Sequence, residues 1–280
     1  MVGGTLYVVA TPIGNLDDIS TRALQVLNEV DVIACEDTRH SARLLQHFGI
    51  TTKTIVCHDH NERNASAGIV ALLSDGKSVA LVSDAGTPLI SDPGYILLRE
   101  VHRAGLSVSP VPGASALVAA LSVAGLATDR FVFEGFLPAK AAARKERLKQ
   151  LMDETRTLVF YESSHRIVAS LSDFIDVLGA DREVTMAREI SKKFETIRTD
   201  SMAGLSAFVV ADTNQQKGEF VLVVAGAKPT TDTENAERVL AVLLAELPVK
   251  QAAVLTSKIT GVNKNELYQA ALAMRDSCGN

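Results

Sequence analysis

Short apolar runs alternate with amphipathic segments along the first 112 residues. The apolar runs have the length of buried strands, and we expect strands at residues 6–10, 32–35, 54–57, 79–83 and 107–111. Helical spacing of apolar positions predicts helices between them, at residues 20–29, 41–48, 64–74 and 90–104. This alternation predicts a parallel sheet with helices on both faces, because parallel strands need crossover connections.

Each of these predicted strands is followed by a polar loop that contains glycine, proline or charged residues. The loops are TPIGN (11–15), EDTR (36–39), HDHN (58–61), SDAGTP (83–88) and PGAS (112–115). Each loop alone is typical of an ordinary turn. Right-handed crossovers bring the carboxyl ends of parallel strands to one sheet edge, where open α/β sheets bind ligands. The five loops together therefore predict a ligand cleft.

The pattern changes after residue 127 and predicts a second α/β domain with a mixed sheet. We expect strands at 131–137, 157–161, 183–187 and 219–225, helices at 139–152 and 167–178, and mixed structure at 201–212. A polar linker is predicted at 228–235, followed by helices at 249–258 and 264–274 around a tight turn. The predicted domains are an N-terminal α/β domain (1–116), a C-terminal α/β domain (117–228) and a helix-turn-helix-like appendix (235–280).

Composition narrows the functional classes. The net charge of −5 excludes an overall basic field, so any nucleic acid must be bound by local patches. The most apolar stretch, 116–127, is about a dozen residues long, whereas a membrane helix needs about 20. The six histidines form no recognisable metal motif, and no metal site is predicted. Cys35 and Cys57 are expected to be core residues of a cytoplasmic protein.

Nine motifs carry a resemblance to a known family. They are, in order, ATPIGNLDDIS (10–20), EDTR (36–39), HDHNE (58–62), LVSDAGTPLISDPG (81–94), VPGASA (111–116), FEGFLP (133–138), YESSHR (161–166), ARE (187–189) and GEFVLVV (218–224). The chain resembles the tetrapyrrole-methylase-fold family, and within it the branch that methylates small-subunit ribosomal RNA. Tetrapyrrole-acting members carry Gly-Asp-Pro where this chain has Gly86-Thr87-Pro88.

The resemblance implies a fold of two α/β domains with S-adenosylmethionine bound between them. It implies a homodimer that methylates the ribose 2′-hydroxyl of a cytidine in the decoding centre of 16S rRNA, within the assembled small subunit. It also implies contacts near the strand that follows Gly218. The other cofactor contacts it implies are Pro12, Gly86, Thr87, Ile90, Ser115, Ala116 and Tyr161.

Methyl transfer from a sulfonium donor depends mainly on alignment, which rigid loops can supply. A ribose hydroxyl is a weak acid, so a base or a charge stabiliser is expected to help. Each candidate also has a structural explanation; Glu162 and Arg166, for example, are spaced to pair on a helix. The candidates are Asp37, His60, Asp84, Glu162, His165 and Glu189.

Arginine and lysine side chains are the expected contacts to RNA phosphates. The segment KAAARKERLK (140–149) carries five positive residues, and its alternative interpretation is a solvated helix face. The candidates are Arg39, Lys140, Arg144, Lys145, Arg147, Arg166 and Arg188. Two other functions remain open: a methyltransferase of the same fold acting on a tetrapyrrole or other small molecule, and a ribosome-assembly factor without catalysis.

Overall fold

The computed structural model describes residues 3–58, 61–228 and 232–277. The chain divides into two compact units, residues 1–226 and 227–280, and the first unit contains two five-stranded sheets. Among the described helices, none combines the length and apolar character that spanning a bilayer requires.

The first sheet is entirely parallel, as the sequence predicts. Its strands lie in the order β3-β2-β4-β1-β5. The strands are β1 (Thr5–Val9), β2 (Val32–Cys35), β3 (Thr54–Val56), β4 (Val79–Val82) and β5 (Ser107–Val111). The carboxyl ends of the strands therefore share one edge, which is where the predicted cleft was expected.

Helices cover both faces of this sheet. They are α1 (Thr21–Glu29), α2 (Thr38–His47), α3 (Glu62–Ser74) and α4 (Tyr95–Arg103). Because successive strand residues face opposite sides, Ile33 packs with α1 and α2 while Ala34 packs with α3 and α4. The predicted start of the fourth helix at residue 90 is wrong. The backbone has positive φ at Leu89, Ser91 and Gly94, and helical geometry begins only at Tyr95.

The second sheet is mixed, again as predicted: β6 and β7 are parallel and the other neighbours are antiparallel. The strand order is β6-β7-β10-β8-β9. The strands are β6 (Phe131–Phe136), β7 (Thr157–Ser163), β8 (Glu183–Arg188), β9 (Thr196–Ser201) and β10 (Glu219–Val224). Its helices are α5 (Ala116–Val123), α6 (Ala141–Gln150), α7 (Ile167–Leu178) and α8 (Met202–Ala211).

An apolar core lies on each face of the second sheet. One face packs against α6, α7 and α8 around the fully buried rings of Phe160, Phe174 and Phe220. The other face packs against α5, where Leu117 and Leu121 meet the strands. The same face carries Tyr161 toward the first sheet's loops, so α5 and β7 form one wall of the site described below.

The second unit is a small helical bundle with its own core. Its helices are α9 (Asp232–Glu246), α10 (Val249–Thr260) and α11 (Lys264–Ser277). Leu240, Ala252 and Leu267 are buried between them, and Gly261 ends α10 in the left-handed conformation. The predicted linker at 228–235 is wrong at 232–235, where α9 begins; residues 229–231 lie outside the described residues.

Candidate functional site

A cavity of about 440 Å³ lies between the carboxyl edge of the first sheet and one face of the second sheet. Loops after β1, β2, β4 and β5 line one side, and β7, β8 and β10 line the other. Within the described residues, the loop after β3 contributes nothing to the lining. The lining residues include Ile13, Glu36, Asp84, Gly86, Thr87, Ile90, Ser115, Phe136, Tyr161, Glu162, Lys192 and Glu219.

Hydrogen bonds tie the first-sheet loops to one another. Thr11 and Gly86 exchange two backbone hydrogen bonds, of 2.9 and 3.1 Å. The Thr87 hydroxyl donates to the Ala114 carbonyl at 3.1 Å, and the Asp37 N–H donates to Asp84 Oδ1 at 3.3 Å. The loops after β1, β2, β4 and β5 therefore form one cross-linked rim.

The loop between β4 and α4 has an unusual backbone. Leu89 and Ser91 adopt φ values of 73° and 72°, which non-glycine residues seldom occupy. Such conformations persist only where the surroundings impose them, and they concentrate at ligand sites. The sequence predicts a rigid loop here from its glycine and proline residues, and the structure adds backbone strain at two non-glycine residues, Leu89 and Ser91.

Glu62 anchors the far end of this loop. Its carboxylate Oε1 accepts hydrogen bonds from the N–H groups of Gly94, Ile96 and Leu97, at 3.0, 2.8 and 3.3 Å. The side chain is buried, and it lies at the positive end of the α4 dipole. Glu62 therefore fixes the start of α4 and, with it, the loop that lines the cavity.

On the opposite wall, Glu189 is held in a compact ion-pair cluster. Its Oε1 accepts from Lys192 Nζ at 2.8 Å and from the Glu219 N–H at 3.0 Å. Partial burial raises the pKa of Glu189, but these two hydrogen bonds, together with the charges of Lys192 and Arg188, more than compensate and hold its pKa below the usual value. Gly218 leaves the necessary space, since a Cβ there would meet the Glu189 carboxyl carbon at 2.5 Å.

Lys192 also reaches across to the first sheet. Its alkyl chain lies over Gly14, where an added Cβ would meet Lys192 Cγ at 2.3 Å. Beside it, the Ser191 hydroxyl donates to the Asp18 carboxylate. The segment after β8 thus fastens the second sheet to the loop after β1, and Lys192 lines the cavity between them.

Six of the seven predicted cofactor contacts line the cavity: Gly86, Thr87, Ile90, Ser115, Ala116 and Tyr161. Pro12 does not, but its neighbour Ile13 does. Burial raises the pKa of the Tyr161 hydroxyl, and the charge of Asp92 raises it further. The phenol is therefore neutral near pH 7 and serves as a wall rather than as a base.

The predicted acid–base candidates fall into different environments. Asp84 and Glu162 line the cavity, whereas Asp37, His165 and Glu189 do not. Glu162 is buried and accepts from the Ser163 N–H at 2.8 Å and the Ser170 hydroxyl at 2.5 Å, so its oxygens are committed. His60 lies outside the described residues.

Asp37 and His165 are set apart from the cavity for visible reasons. The Asp37 carboxylate caps α2 and pairs with Arg39 at 3.1 Å; the Arg39 hydrogen bond lowers the pKa of Asp37 and weakens it as a base. His165 is exposed at the end of β7. Among the candidates that the structure describes, Asp84 thus combines a cavity position with a carboxylate that accepts one hydrogen bond from the described residues.

Two predicted RNA contacts are wrong because their guanidinium groups are buried. The Arg144 side chain is 4% exposed and pairs with Asp173 at 2.5 Å between α6 and α7. Arg188 is also buried and donates to the carbonyl oxygens of Lys217, Phe194 and Asn214. Both arginines hold the scaffold together and cannot reach a phosphate.

Three more predicted RNA contacts are engaged internally. Lys145 pairs with Asp173 and Asp176, and Arg147 pairs with Glu134 at 2.7 Å. Arg166 pairs with Glu162 at 2.9 Å, the i,i+4 pair that the spacing indicated.

The remaining two RNA candidates are at the surface. The Arg39 side chain is 91% exposed, and its guanidinium pairs with the Asp37 carboxylate at 3.1 Å. Lys140 is exposed just before α6 and has no ion-pair partner in the part of the chain that the structure describes. Four of the five positive charges in 140–149 lie beside carboxylates, so the segment presents a weaker positive surface than its count of lysines and arginines indicates.

Sequence reasoning missed three residues that shape the site: Glu62, Phe136 and Lys192. Each lies in or beside a quoted motif, but no local signal shows that Glu62 reaches the start of α4 or that Lys192 covers Gly14. Both contacts join segments distant in sequence. Across residues 3–58, 61–228 and 232–277, no cluster of histidine, cysteine, aspartate or glutamate has the makings of a metal site.

Comparison with protein families gives two matches. Residues 5–206 match the model described as Tetrapyrrole (Corrin/Porphyrin) Methylases, and residues 230–275 match the RsmI C-terminal HTH domain. Among curated proteins, Ribosomal RNA small subunit methyltransferase I of Pseudomonas aeruginosa is 58% identical over 97% of this chain and 98% of that protein. The Escherichia coli O157:H7 protein of the same name is 53% identical over 96% and 95%.

Solved structures show the same fold at low identity. A cobalamin-biosynthetic cobalt precorrin-4 methyltransferase superposes with a TM-score of 0.60 at 19% identity, covering 78% of this chain and 94% of that one. A diphthine synthase gives a TM-score of 0.58 at 16% identity, covering 79% and 90%. These likenesses concern the fold alone, since the identities are so low.

Proposed function

The chain belongs to the tetrapyrrole methylase family, and we propose that it methylates the ribose 2′-hydroxyl of a cytidine in the decoding centre of 16S rRNA. The observation that carries this proposal is the similarity along nearly the whole chain to proteins named ribosomal RNA small subunit methyltransferase I, the C-terminal helices included. The cofactor is S-adenosylmethionine, which supplies an electrophilic methyl group.

The cavity has features that fit this cofactor. Ile13, Ile90 and Val221 give it apolar surface for a purine, while Asp84 and the hydroxyl of Thr87 offer polar groups. Gly86, at φ 80°, lets the backbone after β4 lie close to the loop after β1, because an added Cβ would press on Ile13 at 3.3 Å. Carboxylates along the lining favour a cationic ligand, because their negative charge attracts the positive charge of the ligand.

The residues of the chain contribute mainly by positioning. The cross-linked rim stiffens one side of the cleft, and Lys192 over Gly14 and the Ser191–Asp18 hydrogen bond fasten the other side to it, which favours in-line attack by one oxygen. Asp84 is the carboxylate that we assign to face the reacting hydroxyl. Within the described part of the chain it accepts one N–H bond, from Asp37, which leaves it able to accept the hydroxyl proton or orient it.

The proposal includes a homodimer acting in the cytoplasm, where small subunits are assembled. Light scattering coupled to size-exclusion chromatography measures the mass of the particle in solution. A monomer at micromolar concentration would contradict this part of the proposal.

Methylation is tested with labelled S-adenosylmethionine and small subunits from a strain that lacks the enzyme. We expect label in ribose of one cytidine, which makes the following phosphodiester resistant to alkali because its 2′-oxygen is blocked. Label on a base, or transfer to a tetrapyrrole without RNA, would reject the RNA 2′-hydroxyl as acceptor. Subunit binding without any transfer would instead support a non-catalytic assembly factor.

A matched pair of glycine variants distinguishes the effect of filling the cleft from the effect of a general folding defect. Gly86→Val places a side chain at the cavity, whereas Gly105→Val adds the same group at similar positive φ where nothing lies within 4 Å. We expect transfer to fall at least a hundredfold in the first variant and to remain in the second. Equal losses in both would point to backbone strain rather than to the cleft.

A further inference from the structure

Phe136 presents a large aromatic surface to water at the edge of the cavity. The side chain lies at the end of β6, lines the cavity and is 55% exposed. It meets Tyr161 edge-to-face, with ring centroids 5.6 Å apart. A singly exposed aromatic residue is ordinary on protein surfaces, so exposure alone indicates nothing. What distinguishes Phe136 is how the backbone directs it there.

A bulge in β6 turns Phe136 toward the cavity. The register with β7 shifts between Phe133 and Gly135, so that Phe133 lies beside Val159 while Phe136 lies beside Tyr161. In a regular strand, residues three apart point to opposite faces. The bulge instead puts both phenylalanine rings on the Tyr161 face, at 5.0 and 5.6 Å from its centroid. Bulges commonly re-aim a side chain beside an active site.

The bulge is also locked in position. Gly135 adopts φ 63°, and a Cβ there would meet Ser91 Oγ at 3.0 Å. Ser91 belongs to the strained loop after β4 that lines the opposite side of the cavity. The backbone next to Phe136, at Gly135, is therefore packed against a loop from the other sheet, which places the Phe136 ring beside both halves of the cleft.

We propose that Phe136 is the surface on which the target nucleobase stacks, a substrate contact that rests on the proposed RNA 2′-O-methylation. A ribose hydroxyl within an RNA stack cannot enter a cleft between two sheets, so the nucleotide must be turned out of it. Proteins hold such bases on aromatic faces, because every base offers a π-surface. The ring sets the position of the base and thereby directs the attached sugar into the cavity.

The test compares Phe136→Leu and Phe136→Trp with the wild-type enzyme on small subunits that lack the methyl group. Leucine keeps an apolar side chain but removes the planar face, whereas tryptophan keeps it. We expect kcat/KM for subunits to fall about tenfold to a hundredfold in Phe136→Leu, the range of stacking losses, and to change less than about threefold in Phe136→Trp. The Kd for S-adenosylmethionine, measured by calorimetry, is expected to be unchanged in both.

Phe131→Leu is the matched control, because Phe131 lies on the same strand, is 41% exposed and does not line the cavity. If the wild-type enzyme methylates subunits and Phe136→Leu does so equally well, the stacking proposal is overturned, while the proposed methyltransferase function stands. A parallel loss of cofactor affinity, or a changed particle mass, would also overturn it, since the ring would then serve the cofactor or a subunit contact. Wild-type enzyme without rRNA activity would reject the proposed function itself.

Discussion

Arg144 and Asp173 form an ion pair with almost no access to water, at 4% and 8% exposure. Desolvating two charges is expensive, and the cost is recovered only while both remain paired. The guanidinium also donates to the carbonyl oxygens of Pro138 and Ala139, so it joins the chain before α6 to α7. Its role belongs to stability rather than to RNA binding.

Replacing Arg144 by alanine is expected to lower the free energy of unfolding by about 3–5 kcal/mol, because Asp173 is left buried with Lys145, at 3.3 Å, as its partner among the described residues. Urea denaturation followed by circular dichroism measures the change. The double variant Arg144→Met, Asp173→Leu removes both charges and is expected to recover most of the loss. A single variant as stable as wild type would show that the pair is not desolvated in solution.

The Glu189 cluster predicts a specific pH dependence. Folding holds the pKa of Glu189 below its usual 4.5, so the ionised carboxylate stabilises the protein above about pH 4.5 and that contribution is lost as the pH falls through the lower folded value. Glu189→Gln is expected to be less stable than wild type at pH 7, with the difference shrinking toward pH 3. Urea titrations across this range check it. A constant difference would contradict the assignment.

Individual contacts could be predicted from sequence where the partners are close in the chain. The Glu162–Arg166 pair follows from i,i+4 spacing and is present. The burial of Arg144 also had a signal, since it shares a helical face with Leu148 and Leu151, both buried. Glu62 had none, because its donors lie beyond an intervening strand.

At the scale of elements, the loop between β4 and α4 depends on Glu62. Glu62→Ala removes the acceptor of three N–H groups and is expected to cost about 1–3 kcal/mol of stability, with faster hydrogen exchange at Ile96 and Leu97. We also expect weaker S-adenosylmethionine binding, because the loop lines the cavity.

Glu62→Gln keeps a carbonyl acceptor in the same place and is therefore the conservative control. It is expected to retain most of the exchange protection and cofactor affinity that the alanine variant loses. Exchange measured by mass spectrometry, beside calorimetric titration of the cofactor, distinguishes the two variants. Unchanged protection at residues 94–97 in Glu62→Ala would mean that α4 holds its start without this carboxylate.

Most strands and helices could be predicted because apolar periodicity is strong where both faces of a sheet are covered. β9 could not: its sequence, TIRTDS, is polar and lies at an edge, so burial imposes little pattern on it. The conformation of Leu89 and Ser91 was also beyond prediction, since neither residue type favours positive φ. Tertiary contacts impose that geometry.

At the scale of the molecule, the two compact units separate cofactor binding from the C-terminal helices. Every residue that lines the cavity lies between Ile13 and Val221, and the helical unit has its own core. A chain that ends at Gly226 is expected to bind S-adenosylmethionine with a Kd within about threefold of the full chain. Calorimetry measures this, and thermal melting checks that the shortened chain is folded.

Methylation of small subunits by the same shortened chain tests what the helices contribute. We expect kcat/KM for subunits to fall at least tenfold while cofactor binding persists, because the unit that matches a helix-turn-helix domain is then missing. Full activity would show that the first unit suffices for recognition. Loss of cofactor binding in a folded fragment would contradict the separation of the two roles.

The family resemblance and the parallel first sheet were accessible from sequence, and they located the cleft at the strand ends. The distribution of charge on the surface could not be predicted from the sequence. Counting positive residues in 140–149 predicted a basic surface, but Arg144, Lys145 and Arg147 have acidic partners on α7 and β6, outside that segment. Net surface charge depends on such pairings, which sequence spacing does not reveal.

The central position of β1 has a consequence for synthesis of the protein. Leu6 pairs with Val79 on one side and with Val108 on the other, so β1 has no strand partner until residues 79–82 of β4 have been translated. Such long-range pairing slows folding, because the ends of a large loop must meet first. During synthesis, β1 therefore remains without its sheet partners while more than seventy further residues are added, and its apolar side chains are open to chaperone binding over that interval.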